Sequence, residues 1–324
     1  MTLARCRKFL GALLFAAFGT GAQAQGFPNH PITFIYPYPP GSNSDTAWRI
    51  ITQELSRRLN VPVVFENRAG GGGRVGMEAI MKAPPDGYLF GMTNNVMIVW
   101  QPLMEAKFDI QPGRDYTPIA HGIETPLVLA ASGNAPFRDL KGLIAYARAN
   151  PGKLNAASSG PGSGAHLGIA LLNYKAGINI THVPYKGAAP ALTGLVAGEA
   201  DLLFTDAGAK PYLDSGRMIG IAVGSEQRWA LMPKVPTLSE AGVPGFRNTS
   251  WTSVSGPPHL PADVVSRLNR ALNESMNTGD VKQKLEDAGW AIKGGTPEEF
   301  TAIIKADTEL YRPVIRAANI RMDQ

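Results

Sequence analysis

Short apolar runs alternate along this chain with stretches whose apolar positions recur at helical spacing. Residues 33–36 read as a strand, and from Asp45 the positions Ala47, Ile51, Leu55 and Leu59 fall four apart, which keeps one face of a helix apolar. Residues 61–65 form a second strand in this reading, 75–81 a short helix and 88–93 a third strand, preceded by the turn Pro84-Pro85-Asp86-Gly87. The alternation starts afresh with a strand at 126–131, which carries the chain into a second domain. Helices are expected there at 140–149, 165–174 and 189–196, and strands at 154–157, 180–183, 201–204 and 219–223. An extended stretch at 251–254 precedes three amphipathic helices, 261–276, 280–288 and 297–318, and Pro313 predicts a kink or break in the last. Strands that alternate with helices in this way point to an α/β fold of βαβ units with a largely parallel sheet.

The first residues change the picture of where the protein works. Arg5, Arg7 and Lys8 precede the apolar run 9–18, and Ala22-Gln23-Ala24 closes it, the pattern of a secretory signal peptide cleaved near Ala24. The run is too short to span a bilayer, which needs about 20 apolar residues. The lone cysteine, Cys6, lies inside this leader, so the mature chain is expected to carry no disulfide, no thiol nucleophile and no lipid anchor. Removing the three leader cations lowers the formal net charge from +5 to +2, which makes nucleic acid a poor partner. The remaining roughly 300 residues exceed what one core usually supports, so two domains are expected.

Several strand-to-helix loops carry the candidate chemistry. Tyr38 and Pro39-Pro40-Gly41 lead to Ser42, Asn43, Ser44 and Asp45, a polar run able to cap the helix that follows, whose free N–H groups and macrodipole attract an anion. A plain capped turn is the alternative. The loop from Ser158 through Ser159, Gly160, Gly162, Ser163 and Gly164 to His166 lets the backbone approach a phosphate or a carboxylate with equal ease. His166 is as readily a buried structural histidine as a ligand contact. Tyr185 and Gly187 sit at a third strand end, where Lys186 reads as solvated and a structural turn is equally good. Asp206, at a fourth, either accepts from a ligand or caps the next helix.

Other chemistries are weakly supported. The glycine loop lacks the Lys-Ser or Lys-Thr of a Walker motif, and Pro161 spoils the nucleophile-elbow spacing. Gly71 to Gly76 satisfies G-x-G-x-x-G, but the next strand ends in Thr93-Asn94-Asn95 rather than an acid, so a tight turn is preferred to a nucleotide site. The five histidines are scattered singly, with no metal-ligand spacing, and neither metal nor cofactor is expected.

Six ordered motifs together resemble the Bug family, the substrate-binding receptors of tripartite tricarboxylate transporters. They are Pro39 to Asp45, Glu66-Asn67-Arg68-Ala69-Gly70, Pro85-Asp86-Gly87-Tyr88, Ser159 to His166, Val183-Pro184-Tyr185-Lys186-Gly187, and Gly294-Gly295-Thr296-Pro297-Glu298-Glu299-Phe300. The resemblance runs from about Phe27 to the C-terminus. It implies a two-domain periplasmic-binding-protein fold of type II with a ligand cleft between the domains and two hinge crossings. Domain one would comprise 25–125 with 250–324 and domain two 126–249, after a leader at 1–24.

The resemblance further implies a periplasmic, monomeric, non-enzymatic receptor that passes a small carboxylate to membrane transporter subunits. The expected grip is Tyr38, Ser42, Asn43, Ser44 and Asp45 on one side and Ser159, Gly160, Ser163, His166, Tyr185 and Gly187 on the other, with Asn94 and Asp206 nearby. Ser42 stands where the family usually has glycine, and Asn94, Asn95, Met97 and Trp100 depart from its small polar residues. Trp100 reads as core more readily than as pocket, so an aromatic carboxylate is only slightly preferred to aliphatic di- or tricarboxylates. Two alternatives remain: a sensor that signals to a membrane kinase through the same closure, and a secreted hydrolase built on Ser159 or Ser163 with His166.

Overall fold

The computed structural model describes residues 26–105 and 107–322, so the expected leader at 1–24 lies outside the described residues. β1 (Ile32–Tyr36) leads into α1 (Asn43–Leu59), β2 (Val63–Asn67), α2 (Arg74–Met81) and β3 (Leu89–Asn94). A π-helical turn at Val96–Trp100 and the short α3 (Gln101–Met104) precede β4 (Thr117–Pro126) and β5 (Val128–Ser132). Then come α4 (Leu140–Ala149), β6 (Asn155–Ser158), α5 (Gly164–Ala176), β7 (Thr181–Pro184), α6 (Ala188–Ala197) and β8 (Leu202–Thr205). α7 (Lys210–Asp214) and β9 (Met218–Val223) follow, and β10 (Thr249–Gly256), α8 (Ala262–Met276), α9 (Gly279–Asp287), β11 (Ala291–Gly294) and α10 (Pro297–Ala317) complete the chain.

The strands form two sheets, ordered β11-β4-β10-β3-β1-β2 and β7-β6-β8-β5-β9. Both are mixed, which corrects the expectation of a largely parallel sheet. β1 is parallel to β2 and β3, and β6 to β7 and β8, because a helix crosses between each successive pair. β10 runs antiparallel to β3 and β4, β11 to β4, and β5 to β8 and β9, because these strands enter where the chain passes between sheets or folds back. Only Leu127 separates β4 in the first sheet from β5 in the second. Its carbonyl accepts from the Gly224 N–H at 2.8 Å, and the Gly224 carbonyl accepts from the Asn248 N–H, also at 2.8 Å, just before β10 returns. The two connections between the sheets therefore lie side by side.

Local sequence explains the elements nearest this junction. α1 starts because Ser42, in extended conformation, accepts from the Asp45 N–H, and it buries Ala47, Trp48, Ile51, Leu55 and Leu59. The glycine run at 71–73 is a tight turn: Gly72 and Gly73 have φ of 64° and 103°, and a Cβ on Gly73 would meet the Met97 sulfur at 2.8 Å and the Tyr38 hydroxyl at 3.1 Å. α10 runs unbroken through Pro313, contrary to the expected interruption. That residue lies on the exposed face, as does Glu309, whose carbonyl loses its donor there.

The buried apolar side chains group into two clusters. One joins the first sheet to α1, α8 and α9 through Phe34, Trp48, Phe90 and Leu268. The other joins the second sheet and its helices to Trp100, Phe300, Tyr311 and Ile315, so α10 and the π-helical turn pack against the second-sheet core. Among the described residues, no helix is long and apolar enough to cross a membrane.

Candidate functional site

β6, β7 and β8 are mutually aligned, and each ends in a loop that opens a helical segment, so three such starts gather at one edge of the second sheet. Ser163 caps α5: its Oγ accepts from the His166 N–H at 3.4 Å and donates to the Gly160 carbonyl at 2.7 Å. Gly187, with φ of 112°, stands at the start of α6 with no side-chain cap. The first N–H groups of α5 and α6, those of Gly164, Ala165, Ala188 and Ala189, have no partner within their helices. Asp206 accepts from the Gly208 N–H at 3.0 Å and so caps the turn after β8.

These starts border a cavity of about 160 Å³. Ser159, Gly164, Ala165, Ala188 and Asp206 line it from the second-sheet side. Asn95, Val96, Trp100 and Ser250 line it from the first, and Leu127 lies at the junction. Its lining holds one acidic side chain, Asp206, and no lysine, arginine or histidine. Asn95 is buried and donates to the Thr249 carbonyl at 2.8 Å, which ties the cavity wall to the returning strand. Trp100 is 2% exposed, and its Nε1 has no hydrogen-bond partner among the described residues.

The residues on the first-sheet side are largely committed to one another. The Tyr36 hydroxyl joins Ser42 Oγ at 2.8 Å and Ser44 Oγ at 2.6 Å. The buried Asp45 carboxylate accepts from the Gly41 N–H, Arg49 Nε and Asn67 Nδ2, each at 3.1 Å. Burial opposes its ionisation, but the donors Arg49, Asn67 and Gly41 outweigh it and hold the carboxyl below its usual range. Tyr38 donates to the Gly72 carbonyl at 3.2 Å and accepts from Asn94 Nδ2 at 2.9 Å, and burial pushes its phenol up to about 12. Asn94 Oδ1 in turn accepts from the Met97 N–H at 3.0 Å.

This loop reaches the cavity only through its neighbours. Tyr38 holds Asn94, whose neighbour Asn95 lines the cavity. Asn43 donates to the Ala288 carbonyl at 3.1 Å, and the next residue, Gly289, packs against Ala207, which follows Asp206. Of the expected residues, Ser159 and Asp206 line the cavity itself. Gly160, Ser163 and Gly187 shape its loops, and Ser42, Asn43, Ser44 and Asp45 build the start of α1 opposite. Tyr185 lies over Gly194 of α6, where an added Cβ would be 2.5 Å from its hydroxyl.

His166 is tied into its own loop. Its Nδ1 accepts from the Gly162 N–H at 3.1 Å and its ring stacks on His182 with centroids 3.7 Å apart. Burial, and then His182, lowers His166 to about 4, so both of its nitrogens serve as a neutral imidazole near neutral pH. No Ser163–His166 side-chain pair forms, since the Ser163 hydroxyl is spent on Gly160. Ser158 Oγ does meet His182 Nε2 at 2.6 Å, but Ser158 is 1% exposed.

Sequence reasoning did not place Leu127, Asn95, Trp100 and Ser250 around one cavity. Asn95 and Trp100 stood out as unusual residues after the third strand, whereas Leu127 and Ser250 carry no local signal because their position depends on the junction between the sheets. A larger cavity of about 840 Å³ lies on the opposite face of that junction, where Pro126 and Thr249 line it. Its cations are each paired, Lys293 with Glu124 at 3.4 Å, Arg228 with Glu240 at 2.9 Å and Arg247 with Asp307, its lining adds the acids Glu226, Glu286 and Glu299, which disfavour an anion, and no start of a helix of the second sheet lines it. The smaller cavity is therefore the candidate site.

Comparison with known proteins decides the family. The profile of the family described as "Tripartite tricarboxylate transporter family receptor" matches residues 47–320. The chain belongs to this family. This bears out the resemblance carried by the six motifs, and the receptor is a solute-binding protein of a transporter rather than an enzyme. Its two-sheet architecture is the type II-like fold of periplasmic binding proteins. A relative from Pseudomonas sp. (strain P51), "UPF0065 protein in tcbD-tcbE intergenic region", is 35% identical over 98% of this chain and 96% of its own length. The solved structure of Rpa4515 from R. palustris with adipate superposes with a TM-score of 0.76 at 30% identity, covering 91% of this chain and 99% of that one. MatC (Rpa3494) from Rhodopseudomonas palustris, with bound malate, gives a TM-score of 0.73 at 29% identity, covering 89% of this chain and 100% of that one.

Proposed function

We propose that this receptor captures a small organic carboxylate between its two lobes and delivers it to the membrane subunits of its transporter. The observation that carries the reading is the convergence of the first turns of α5 and α6, whose leading N–H groups lack helix partners, on a cavity whose facing wall, Asn95 and Trp100, belongs to the other lobe. Helix starts of this kind favour an anion without a fixed cation, and neutral donors hold it without preventing release. Adipate in Rpa4515 and malate in MatC support the ligand class. Ligand contacts to both lobes favour a closed state reached by rotation about the paired connections at Leu127 and Asn248.

In this reading domain one comprises 25–125 with 250–324 and domain two 126–249, with α10 bridging them. The ligand contacts are Ser159, Gly160, Ser163, Gly187 and Asp206 from one lobe and Asn95 and Trp100 from the other, with Tyr38, Asn94 and the Ser42 to Ser44 turn supporting that wall from behind. His166, Tyr185 and Asp45 act by shaping the loops. The leader sends the chain to the periplasm, where it works as a monomer. Titration calorimetry with a panel of carboxylates tests the proposal: at least one should bind, and Ser159→Ala should weaken it without lowering the melting temperature. A protein that binds no carboxylate, or a Ser159→Ala variant with unchanged affinity, would contradict the ligand class or the location respectively.

A further inference from the structure

The cavity offers one favourable place for negative charge. The starts of α5 and α6 each carry roughly half an elementary positive charge, together about enough to balance one carboxylate. Beyond them the wall combines apolar Val96, Trp100, Leu127, Leu203 and Phe204 with neutral Asn95, Ser159, Thr205 and Ser250, and the lining's remaining charge, Asp206, is negative. A second carboxylate would lie against uncharged side chains with no cation to balance it, or beside Asp206. Burial without a partner penalises it in the first place, and like charge in the second. No residue of the first turn of α1 lines the cavity, so the remaining helix start on the first-sheet side offers it no relief.

The size and one aromatic wall narrow the class further. The cavity measures about 160 Å³. An apolar space of about 150 Å³ already accepts benzene. Trp100 turns the six-membered edge of its indole toward Gly164 and this space, its Cη2 and Cζ3 lying 3.6 and 3.7 Å from a Cβ built there, while its N–H is buried away from the cavity. Asn95, the neighbouring polar side chain, donates one of its two amide hydrogens to Thr249.

We propose that the site selects a small, singly charged carboxylate with an apolar, ring-sized body, with Trp100 offering its indole ring to that body and Asp206 rejecting a second anionic group. This rests on the carboxylate-receptor reading and sets the chain apart from Rpa4515 and MatC, whose structures hold adipate and malate.

The test is titration calorimetry of the purified receptor with benzoate, hexanoate, adipate and malate. Benzoate should bind at least about tenfold tighter than adipate or malate. Equal or tighter binding of adipate or malate overturns this inference and leaves the receptor reading intact, whereas no binding by any of the four removes both. Trp100→Phe withdraws the outer edge of that wall and should cost about tenfold in benzoate affinity. An unchanged affinity removes Trp100 from the proposal. Asp206→Asn keeps a capping oxygen for Gly208 and should narrow the gap between benzoate and adipate by several fold. A gap that stays the same assigns Asp206 to capping alone.

Discussion

Trp100 lies against the first turn of α5, so that a Cβ built on Gly164 would sit 3.6 Å from its ring. The same Cβ would come within 3.0 Å of the Leu127 side chain at the junction between the sheets. Three separate parts of the chain thus meet at one glycine, and the space above it is the candidate binding cavity.

Gly164→Ala should therefore reduce ligand affinity about tenfold or more while leaving stability within about 1 kcal/mol of the parent, since alanine is the better helix former and its methyl group enters the cavity rather than the core. Calorimetric titration beside a thermal melt separates the two effects. Unchanged affinity would place the ligand elsewhere.

Gly168, one turn further along α5, should behave in the opposite way. An added Cβ would lie 2.0 Å from Asn248 Nδ2 and 2.7 Å from the Phe204 ring, and Asn248 also donates to the Gly164 carbonyl at 3.1 Å. Gly168→Ala should destabilise the protein by about 1–3 kcal/mol through overpacking. A denaturation midpoint equal to that of the parent would show that the returning strand is less firmly seated than described.

Asp45→Ala removes the acceptor shared by Gly41, Arg49 and Asn67. The buried donors left behind should cost about 1–3 kcal/mol, read from chemical denaturation. Loss of affinity at full stability would instead mean that the carboxylate touches the ligand.

His166 sets a pH signature. Burial and His182 hold it at about 4 in the folded protein. Free histidine titrates near ~6.5. Between these values the unfolded chain binds more protons than the folded one, so stability rises with pH across this window and is lost as acid is added. His166→Gln, which retains an acceptor for the Gly162 N–H, should show a smaller drop in melting temperature than the parent on going from about pH 7 to about pH 5. An equal drop would locate the sensitivity elsewhere, His182 and His121 being shifted in the same direction.

Much of the frame was legible because periodicity and loop chemistry are local. α1 declares itself through Ala47, Ile51, Leu55 and Leu59, and the turn after β6 through its glycines and the capping Ser163. β4 was not legible as a strand, since Pro118, His121, Gly122 and Glu124 interrupt any alternation, and the strand is held by pairing with β10 and β11 from distant parts of the chain. Half of the cavity was hidden for the same reason. Leu127 and Ser250 become neighbours only because two connections run side by side, and Trp100, read as core, is both core and wall. Asp45 shows the converse: a carboxylate at a helix start looks like a ligand contact in sequence, while in the fold it accepts from Gly41, Arg49 and Asn67, whose positions sequence does not reveal together.

The most direct test follows the backbone itself. In ¹H–¹⁵N spectra of the receptor titrated with a bound carboxylate, the amide signals of Gly164, Ala165 and Ala188 should move together and saturate at one common dissociation constant, accompanied by the Trp100 indole N–H. Silence at these four signals, with shifts confined to the face of the junction lined by His121, Glu124 and Trp290, would contradict the account.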